Sequence, residues 1–428
     1  MNFFNQWGRF MMMGARAHAK WEIEVSNSIV GNKKKMFLLL LLLLPIIFMG
    51  IAFATDNLPA ALGGKEAYTP AFYSPEIFLV SILIGLAAGL ITGCIGAGGG
   101  FIIAPALMSA GIKGILAVGT DLFHIFAKAI MGSVIHRKMG NVSVPIAIVF
   151  MIGAIGGATL GGNINRALYE INPVLSDSFI TTIYSLMLGF LGVYALTDFL
   201  KARKITVDTA TEISDDDGAK KVEGVEIGKL AKSLQSVNVP PMIKFDFDYV
   251  SGGRKISWLF LVLSGAIVGM AAGIMGVGGG FLTFPMFVYM LGISSMTTVG
   301  TDIFQIVFTA GYASIAQYAI YGFIFYTLAM GMLLGSLIGI QVGGMVTKVV
   351  PGITIRGFYA MAVMAGFANR IFALPGKLGK IGILPISEKM GAILNQIGIW
   401  IFFLCVAGFG VWVISTFFLN IKRLRGGH

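Results

Sequence analysis

Long apolar stretches separated by short polar connections dominate the chain, and this pattern constrains its fold more than any other feature. Stretches of about 20 apolar residues cross a bilayer as α-helices, because lipid cannot satisfy free backbone N–H and C=O groups. The 428 residues are 56% hydrophobic and 12% charged. The sequence therefore predicts an all-α polytopic membrane protein. Its apolar runs cover residues 36–54, 76–112, 114–136, 142–162, 176–200, 257–291, 295–320, 322–347, 355–374 and 391–419.

The positive net charge is better explained by membrane topology than by nucleic-acid binding. The chain has 31 Lys and Arg against 20 Asp and Glu, and the basic residues gather at the ends of apolar runs, as in cytoplasmic loops. The two cysteines, Cys94 and Cys405, form no CxxC pair, so we predict neither a disulfide framework nor a zinc site. Without a Walker motif, HExxH or a nucleophile elbow, neither an enzyme nor a cofactor is predicted.

Three segments lie outside the main apolar array. Residues 1–35 carry apolar side chains at helical spacing, which predicts an amphipathic segment on the cytoplasmic membrane surface. The run at 36–54 resembles a signal peptide, but the length of chain before it favours an additional N-terminal transmembrane helix. Residues 201–256 are rich in both charges and predict a cytoplasmic charged linker.

Two sequence blocks recur in the same order on either side of this linker. GCIGAGGGF at 93–101 matches GIMGVGGGF at 273–281, and AVGTDLFHIF at 117–126 matches TVGTDIFQIV at 298–307. Pro105 and Pro285 also align. The nearly constant offset indicates an internal duplication, with residues 76–200 as the first membrane repeat and 257–420 as the second repeat and last span.

The basic residues discriminate between two topologies. If the glycine-bearing runs 76–112 and 257–291 each crossed the membrane once, the basic residues 201–204 would lie outside, against the positive-inside rule. If each run is a re-entrant hairpin of two half-helices, the basic groups at 136–138, 201–204, 348 and 422–425 all become cytoplasmic. The loop at 375–390, with its three lysines, is then the exception. We therefore predict two inverted repeats, each a re-entrant hairpin plus about three spanning helices.

The glycine turns are the predicted substrate site. Irregular backbone at membrane depth occurs where it is buried in protein or lines a cavity. Helices that begin at Gly100 and Gly280 would point N–H groups and a positive dipole end at the turn, which favours an anion near the midplane. The alternative is that the glycines only allow close helix packing. The predicted substrate-binding residues are Gly96, Gly98, Gly99, Gly100, Thr120, Lys128, Gly276, Gly278, Gly279, Gly280 and Thr301.

Ionisable residues inside a span usually mark a transport pathway. Asp121, His124 and Lys128 share one helical face, and the second repeat has Asp302, Gln305 and Thr309 at the matching positions. We predict proton coupling or a polar relay for Asp121, His124, Asp302 and Gln305, and anion neutralisation for Lys128. The alternatives are a charge pair between Asp121 and Lys128, and helix capping by each aspartate.

Arg370 is a lesser candidate. It ends an apolar span beside Asn369 and either reaches an anion vestibule or extends to the membrane interface.

The duplicated GxGGG turn, the following proline and the GTD block resemble the TauE/SafE group of sulfite exporter permeases. The resemblance covers about residues 76–200 and 257–420, with a longer amino-terminal extension and linker than a compact member has. It implies transport of sulfite, sulfonates or related anions across the bacterial inner (plasma) membrane. The distribution of basic residues predicts that both termini are cytoplasmic.

We therefore predict a multi-pass secondary transporter that exports a small sulfur-containing anion by alternating access, with protons as the candidate coupling ion. Its other predicted partner is the lipid bilayer, nucleic acid is excluded, and a homo-oligomer stays open. The alternatives are an uptake permease for another anion or a metal ion, and a non-transporting membrane scaffold that recruits a partner through the linker.

Overall fold

A computed structural model describes residues 62–63, 75–95, 99–138, 142–211, 229–246, 253–347 and 349–420. The predicted first membrane repeat contains α1 Pro75–Ile95, α2 Gly100–Ser109, α3 Gly114–Lys138, α4 Val144–Ile171 and α5 Pro173–Thr211. Short elements follow: α6 Lys229–Ser236, β1 Met242–Phe245 and β2 Arg254–Ser257. The second repeat contains α7 Trp258–Met275, α8 Gly280–Pro285, α9 Ser295–Tyr312, α10 Tyr326–Val346 and α11 Gly352–Lys380, and α12 Glu388–Leu419 ends it. A π-turn, Met286–Met290, continues α8, while α9 continues as a π-helix, Ala313–Tyr318, and a 3₁₀ turn, Ala319–Tyr321.

Within the described part of the chain, eight helices are long and apolar enough to cross a membrane. This confirms the predicted all-α polytopic membrane protein. The 25-residue helix α3 is not among the eight. The predicted surface segment 1–35 and the predicted span 36–54 lie outside the described residues.

Each glycine-bearing run forms a long helix, a turn and a short helix. Helix α1 has 21 residues, so it is about 31 Å long, whereas α2 has only 10. Helix α2 doubles back along α1, because its last turn and the first half of α1 line one cavity of about 100 Å³. The hairpin therefore differs from the predicted pair of half-helices: only its second arm is short. The apolar sequence before the glycines continues for a full helix without a break.

The long helices of the two repeats pack on each other in exchanged pairs. Helix α1 of the first repeat lies parallel to α10 of the second, with Gly85 against Met332 and Gly93 against Ile340. Helix α7 of the second repeat lies parallel to α4 of the first in the same way. Small residues at intervals of four allow this approach, since a Cβ on Gly89 would lie 2.5 Å from the Ser336 carbonyl oxygen.

The remaining long helices complete the bundle in antiparallel pairs. Helix α3 packs on α9, and α5 packs on α11 with Gly192 against Met364 and Gly357 against Phe199. Helix α12 lies along α11, where Gly391 contacts Gly376. These pairs enclose a core in which the glycine turns are buried.

The described part of the charged linker is folded at its C-terminal end. Strands β1 and β2 pair antiparallel, with Met242 opposite Ser257, and Arg254 donates a hydrogen bond to the Gly292 carbonyl at 2.8 Å. Asp246 accepts hydrogen bonds from the backbone N–H of Ser294 at 2.8 Å and from the Thr297 hydroxyl at 2.6 Å. This small unit therefore holds the connection between the short helix α8 and the long helix α9.

Candidate functional site

The second glycine turn has a backbone that requires glycine. Gly276, Gly278 and Gly279 have φ angles of 80°, 64° and 86°, which residues with a side chain rarely adopt. Helix α8 begins at Gly280, where an added Cβ would lie 3.1 Å from Asp302 Oδ2. The turn thus brings the start of the short helix next to one of the predicted relay residues.

The first glycine turn lies directly against the second. Gly96 and Gly98 are outside the described residues, but the N–H of Gly99 donates to Thr92 Oγ1 at 2.9 Å. A Cβ on Gly100 would lie 3.2 Å from the Cα and the carbonyl oxygen of Val277 in the second turn. Two turns that are 180 residues apart in the sequence therefore meet inside the bundle.

An aromatic pair accompanies the contact between the turns. Phe101 and Phe281 follow the glycines of their repeats, and their ring centroids are 6.3 Å apart. Both rings are buried. The sequence analysis missed this pair, although the shared GGGF motif was the signal that would have revealed it. Ile125 of α3 contacts both Gly100 and Gly278, so it helps to close the same region.

A small cavity lies beside the second turn. It has a volume of about 10 Å³ and is lined by Gly278, Leu122, Gln305 and Thr309 among others. This volume accommodates about one water molecule. The arrangement is therefore closed around the predicted site, with the polar side chains Gln305 and Thr309 on the cavity wall.

The predicted polar face of α3 is fully enclosed. Asp121 and His124 are 0% exposed, and Asp121 Oδ1 lies 3.7 Å from His124 Nδ1. His124 Nε2 lies 2.9 Å from Ser336 Oγ of α10, a hydrogen-bond partner that sequence reasoning missed.

Three groups on this face carry unmet hydrogen-bonding capacity: Asp121, Lys128 and the Nδ1 of His124. Among the described residues, neither carboxylate oxygen of Asp121 nor the buried Nζ of Lys128 has a hydrogen-bond partner, and the two side chains form no ion pair within 4.0 Å. The two side chains therefore make no direct contact, and the alternative of a longer-range charge pair between them stays a prediction. Buried polar groups without partners are unfavourable, so they indicate a place where a ligand or proton is received.

The matching face in the second repeat is satisfied internally. Gln305 Nε2 donates to Asp302 Oδ1 at 2.9 Å, and the Thr309 hydroxyl donates to Gln305 Oε1 at 2.7 Å. The two repeats thus have the same backbone plan but different polar chemistry. The first repeat has open charged groups, while the second has a closed network.

The two predicted threonines connect the repeats. Thr120 Oγ1 of the first repeat accepts a hydrogen bond from the N–H of Phe325 at 2.9 Å. Thr301 Oγ1 of the second repeat accepts one from the N–H of Ser143 at 3.0 Å. Each acceptor is 0% exposed, and each donor immediately precedes a long helix of the other repeat. Their roles as substrate ligands stay predictions.

Polar side chains that the sequence analysis missed cap the end of α7. Asn165 Nδ2 donates to the Ile274 carbonyl at 2.9 Å, and the hydroxyls of Tyr318 and Tyr184 donate to the carbonyls of Gly273 and Met275. These groups satisfy the carbonyls that the helix leaves free where it stops at the glycine turn. Single polar residues on distant helices leave no local pattern, so the sequence provided no signal for them.

Comparison with known proteins agrees with this architecture. The family description "Sulfite exporter TauE/SafE" matches residues 81–369, well over half of the chain. Two proteins of Bacillus subtilis (strain 168) are similar over most of their lengths. The probable membrane transporter protein YunE is 22% identical over 63% of this chain and 89% of its own, and YjnA is 23% identical over 61% and 87%.

A plant protein shares a shorter region. The sulfite exporter TauE/SafE family protein 6 of Arabidopsis thaliana is 32% identical over 26% of this chain and 28% of its own. No solved structure matches the chain. Because the family match covers residues 81–369 and agrees with the duplicated turns and the apolar helices, the chain belongs to the TauE/SafE family of membrane transporters.

Proposed function

We propose that this membrane transporter exports a small sulfur-containing anion, sulfite or an organosulfonate, by alternating access of two inverted repeats. The contact between the two glycine turns carries the proposal. Gly100 lies against Val277, so the starts of both short helices converge on one buried place. Backbone N–H groups at the start of a helix favour negative charge. The name of the matching family, which refers to sulfite, supports the choice of substrate class.

The polar side chains of α3 have two proposed roles, anion neutralisation and proton coupling. The ammonium group of Lys128 has no partner in the described chain and is available to neutralise an anion. The Asp121 carboxylate lies 3.7 Å from His124, whose Nε2 contacts Ser336 on α10. We assign proton coupling to this pair, since a carboxylate and an imidazole at membrane depth are suited to passing a proton.

Helix directions support the inverted topology. Four helices run in the same direction: α3, α5, α10 and α12. Helix α3 lies parallel to α10, since Thr120 contacts Phe325 and His124 contacts Ser336 further along both helices. Helices α5 and α12 both lie antiparallel to α11. Each of the four has basic residues at or near its C-terminal end. These basic ends support a cytoplasmic location for both termini by the positive-inside rule, and we propose the bacterial inner membrane as the location of the chain.

Flux of labelled sulfite in proteoliposomes tests the proposal. We expect the wild-type chain to transport sulfite, and Lys128→Met to lose most of this flux because the anion loses its neutralising charge. Lys113→Met is the matched control, since Lys113 is exposed and its Nζ contacts the Tyr169 hydroxyl at 3.3 Å. Sulfite flux that is the same in Lys128→Met and wild type would show that the ammonium does not hold the substrate.

A counterflow panel separates the alternative substrates. Among the described residues, no group of three His, Cys, Asp or Glu side chains is arranged to hold a metal ion, so we expect anions and not divalent cations to exchange. Exchange of a divalent cation without exchange of any anion would replace the proposal by metal transport. Exchange of neither would favour the scaffold alternative.

A further inference from the structure

Arg370 lies ten residues before the end of α11 and is buried in the bundle, so it does not extend to the membrane interface from the end of a span. It is 1% exposed. Its Nη2 donates to Ser109 Oγ at 2.8 Å and to the Pro105 carbonyl at 3.2 Å, and its Nε donates to Asn369 Oδ1 at 2.7 Å. The guanidinium group therefore lies against the last turn of α2, at the end away from the glycine turn.

The partners of this guanidinium group are neutral. Among the described residues, no carboxylate lies within 4.0 Å of Arg370, and the nearby Asp177 is paired with Lys377 at 3.6 Å and also accepts from the N–H of Gly114. The partner of Nη1 is the thioether sulfur of Met108, at 3.4 Å. A thioether is a weak acceptor, so the Nη1 donor has only a weak partner, whereas Nε and Nη2 are hydrogen-bonded.

A purely structural role is the competing explanation. A cation at the C-terminal end of a helix is stabilised by the helix dipole, and Arg370 contacts that end of α2. This role accounts for the bond to the Pro105 carbonyl. It does not explain why Nη1 contacts the Met108 sulfur, or why the guanidinium group is buried without a carboxylate partner. Guanidinium groups bind oxyanions through two parallel hydrogen bonds, and such a partner would satisfy both nitrogens.

We propose that Arg370 is a second anion-binding point of the transporter, one length of α2 away from the glycine turns. It takes the same class of ligand, a small sulfite or sulfonate oxyanion, which replaces Met108 and Ser109 as the partner of the guanidinium nitrogens. This inference rests on the proposed function, since it treats α2 as a wall of the anion path. The anion is held first at one end of α2 and then at the other.

The experiment uses variants of the full chain that separate anion binding from helix capping. Arg370→Gln removes the charge, and Arg356→Gln is its matched control, since Arg356 is half-buried on the same helix and pairs with Asp198 at 3.4 Å. Ser109→Asp places a carboxylate next to Nη2, where it forms an internal pair with Arg370. Ser109→Asn is its neutral comparison. The internal pair retains the capping role but occupies the anion-binding nitrogens.

Two measurements are made on each protein. The first is the KM for labelled sulfite in proteoliposomes, and the second is the rise in melting temperature that methanesulfonate causes in detergent. We expect Ser109→Asp to raise the KM about tenfold or more over Ser109→Asn, as the loss of a charge-assisted hydrogen bond to a ligand does. The methanesulfonate-induced rise should be smaller in Ser109→Asp than in Ser109→Asn and smaller in Arg370→Gln than in wild type, because only the glycine-turn site remains, and it should be unchanged in Arg356→Gln.

The outcomes distinguish this inference from the proposed function. If the wild type transports sulfite and Ser109→Asp has the KM of Ser109→Asn, Arg370 is only a helix cap and the inference is wrong. If the wild type transports no anion, the proposed function is wrong, and the methanesulfonate response of Ser109→Asp against Ser109→Asn still decides whether Arg370 binds anions. Should Arg370→Gln fail to fold, the Ser109 pair gives the answer alone.

Discussion

Replacing Thr301 by valine tests whether the buried threonines connect the two repeats or bind substrate. Valine has nearly the shape of threonine but cannot accept the hydrogen bond from the N–H of Ser143, which is 3.0 Å from the hydroxyl oxygen. Thr301 is 0% exposed and Ser143 is half-buried, so water replaces the lost acceptor only in part. A buried donor that loses its acceptor is destabilised by about 1–3 kcal/mol. We therefore expect Thr301→Val to lower the free energy of unfolding by about this amount, with little effect on the KM for sulfite.

The equivalent change in the first repeat provides an internal comparison. Thr120→Val removes the hydrogen bond from the Phe325 N–H and should have a similar effect, while serine at either position keeps the hydroxyl and restores stability. Reversible unfolding in detergent gives the stability, and proteoliposome flux gives the KM. An unchanged unfolding free energy together with a raised KM in Thr301→Val would refute this reasoning, because the hydroxyl would then be a substrate ligand.

Three further predictions follow from described contacts. Gly279→Ala should lower the melting temperature, since a φ of 86° disfavours a side chain by about 1–2 kcal/mol. Gly156→Ala is the control and should raise the melting temperature slightly, because an added Cβ there meets no atom within 4 Å and alanine favours the helix. A double-mutant cycle of Phe101→Leu and Phe281→Leu should give a coupling of about 0.5–1.5 kcal/mol in unfolding experiments; strict additivity would mean that the rings do not interact. Asp246→Ala should accelerate tryptic cleavage between residues 229 and 257, and a rate equal to wild type would show that its bonds do not hold this unit.

The membrane architecture could be predicted because it depends on features that are local or repeated in the sequence. Apolar runs predict spans, and the two copies of the GGG and GTD blocks predict the turns that meet at Gly100 and Val277. The length of the first hairpin arm could not be predicted in this way. A half-helix and a whole helix have the same apolar composition, and the bundle around α1 decides how far it continues.

The side-chain partners were less accessible to sequence reasoning. The i, i+3 spacing correctly placed Asp121 beside His124, but the i, i+7 spacing to Lys128 gave no ion pair. Ser336 and Arg370 act through helices that are more than 200 residues away from their partners on α3 and α2. Contacts over such separations depend on how the repeats dock. The sequence around an isolated polar residue in a span does not indicate which residue it contacts.

The exchanged pairing of long helices makes each half of the chain an incomplete structure. Helix α1 buries its glycine-lined face only on α10, and α7 buries its own only on α4. A single repeat expressed alone would therefore present two close-packing surfaces to lipid, and a second copy in the opposite orientation would cover both.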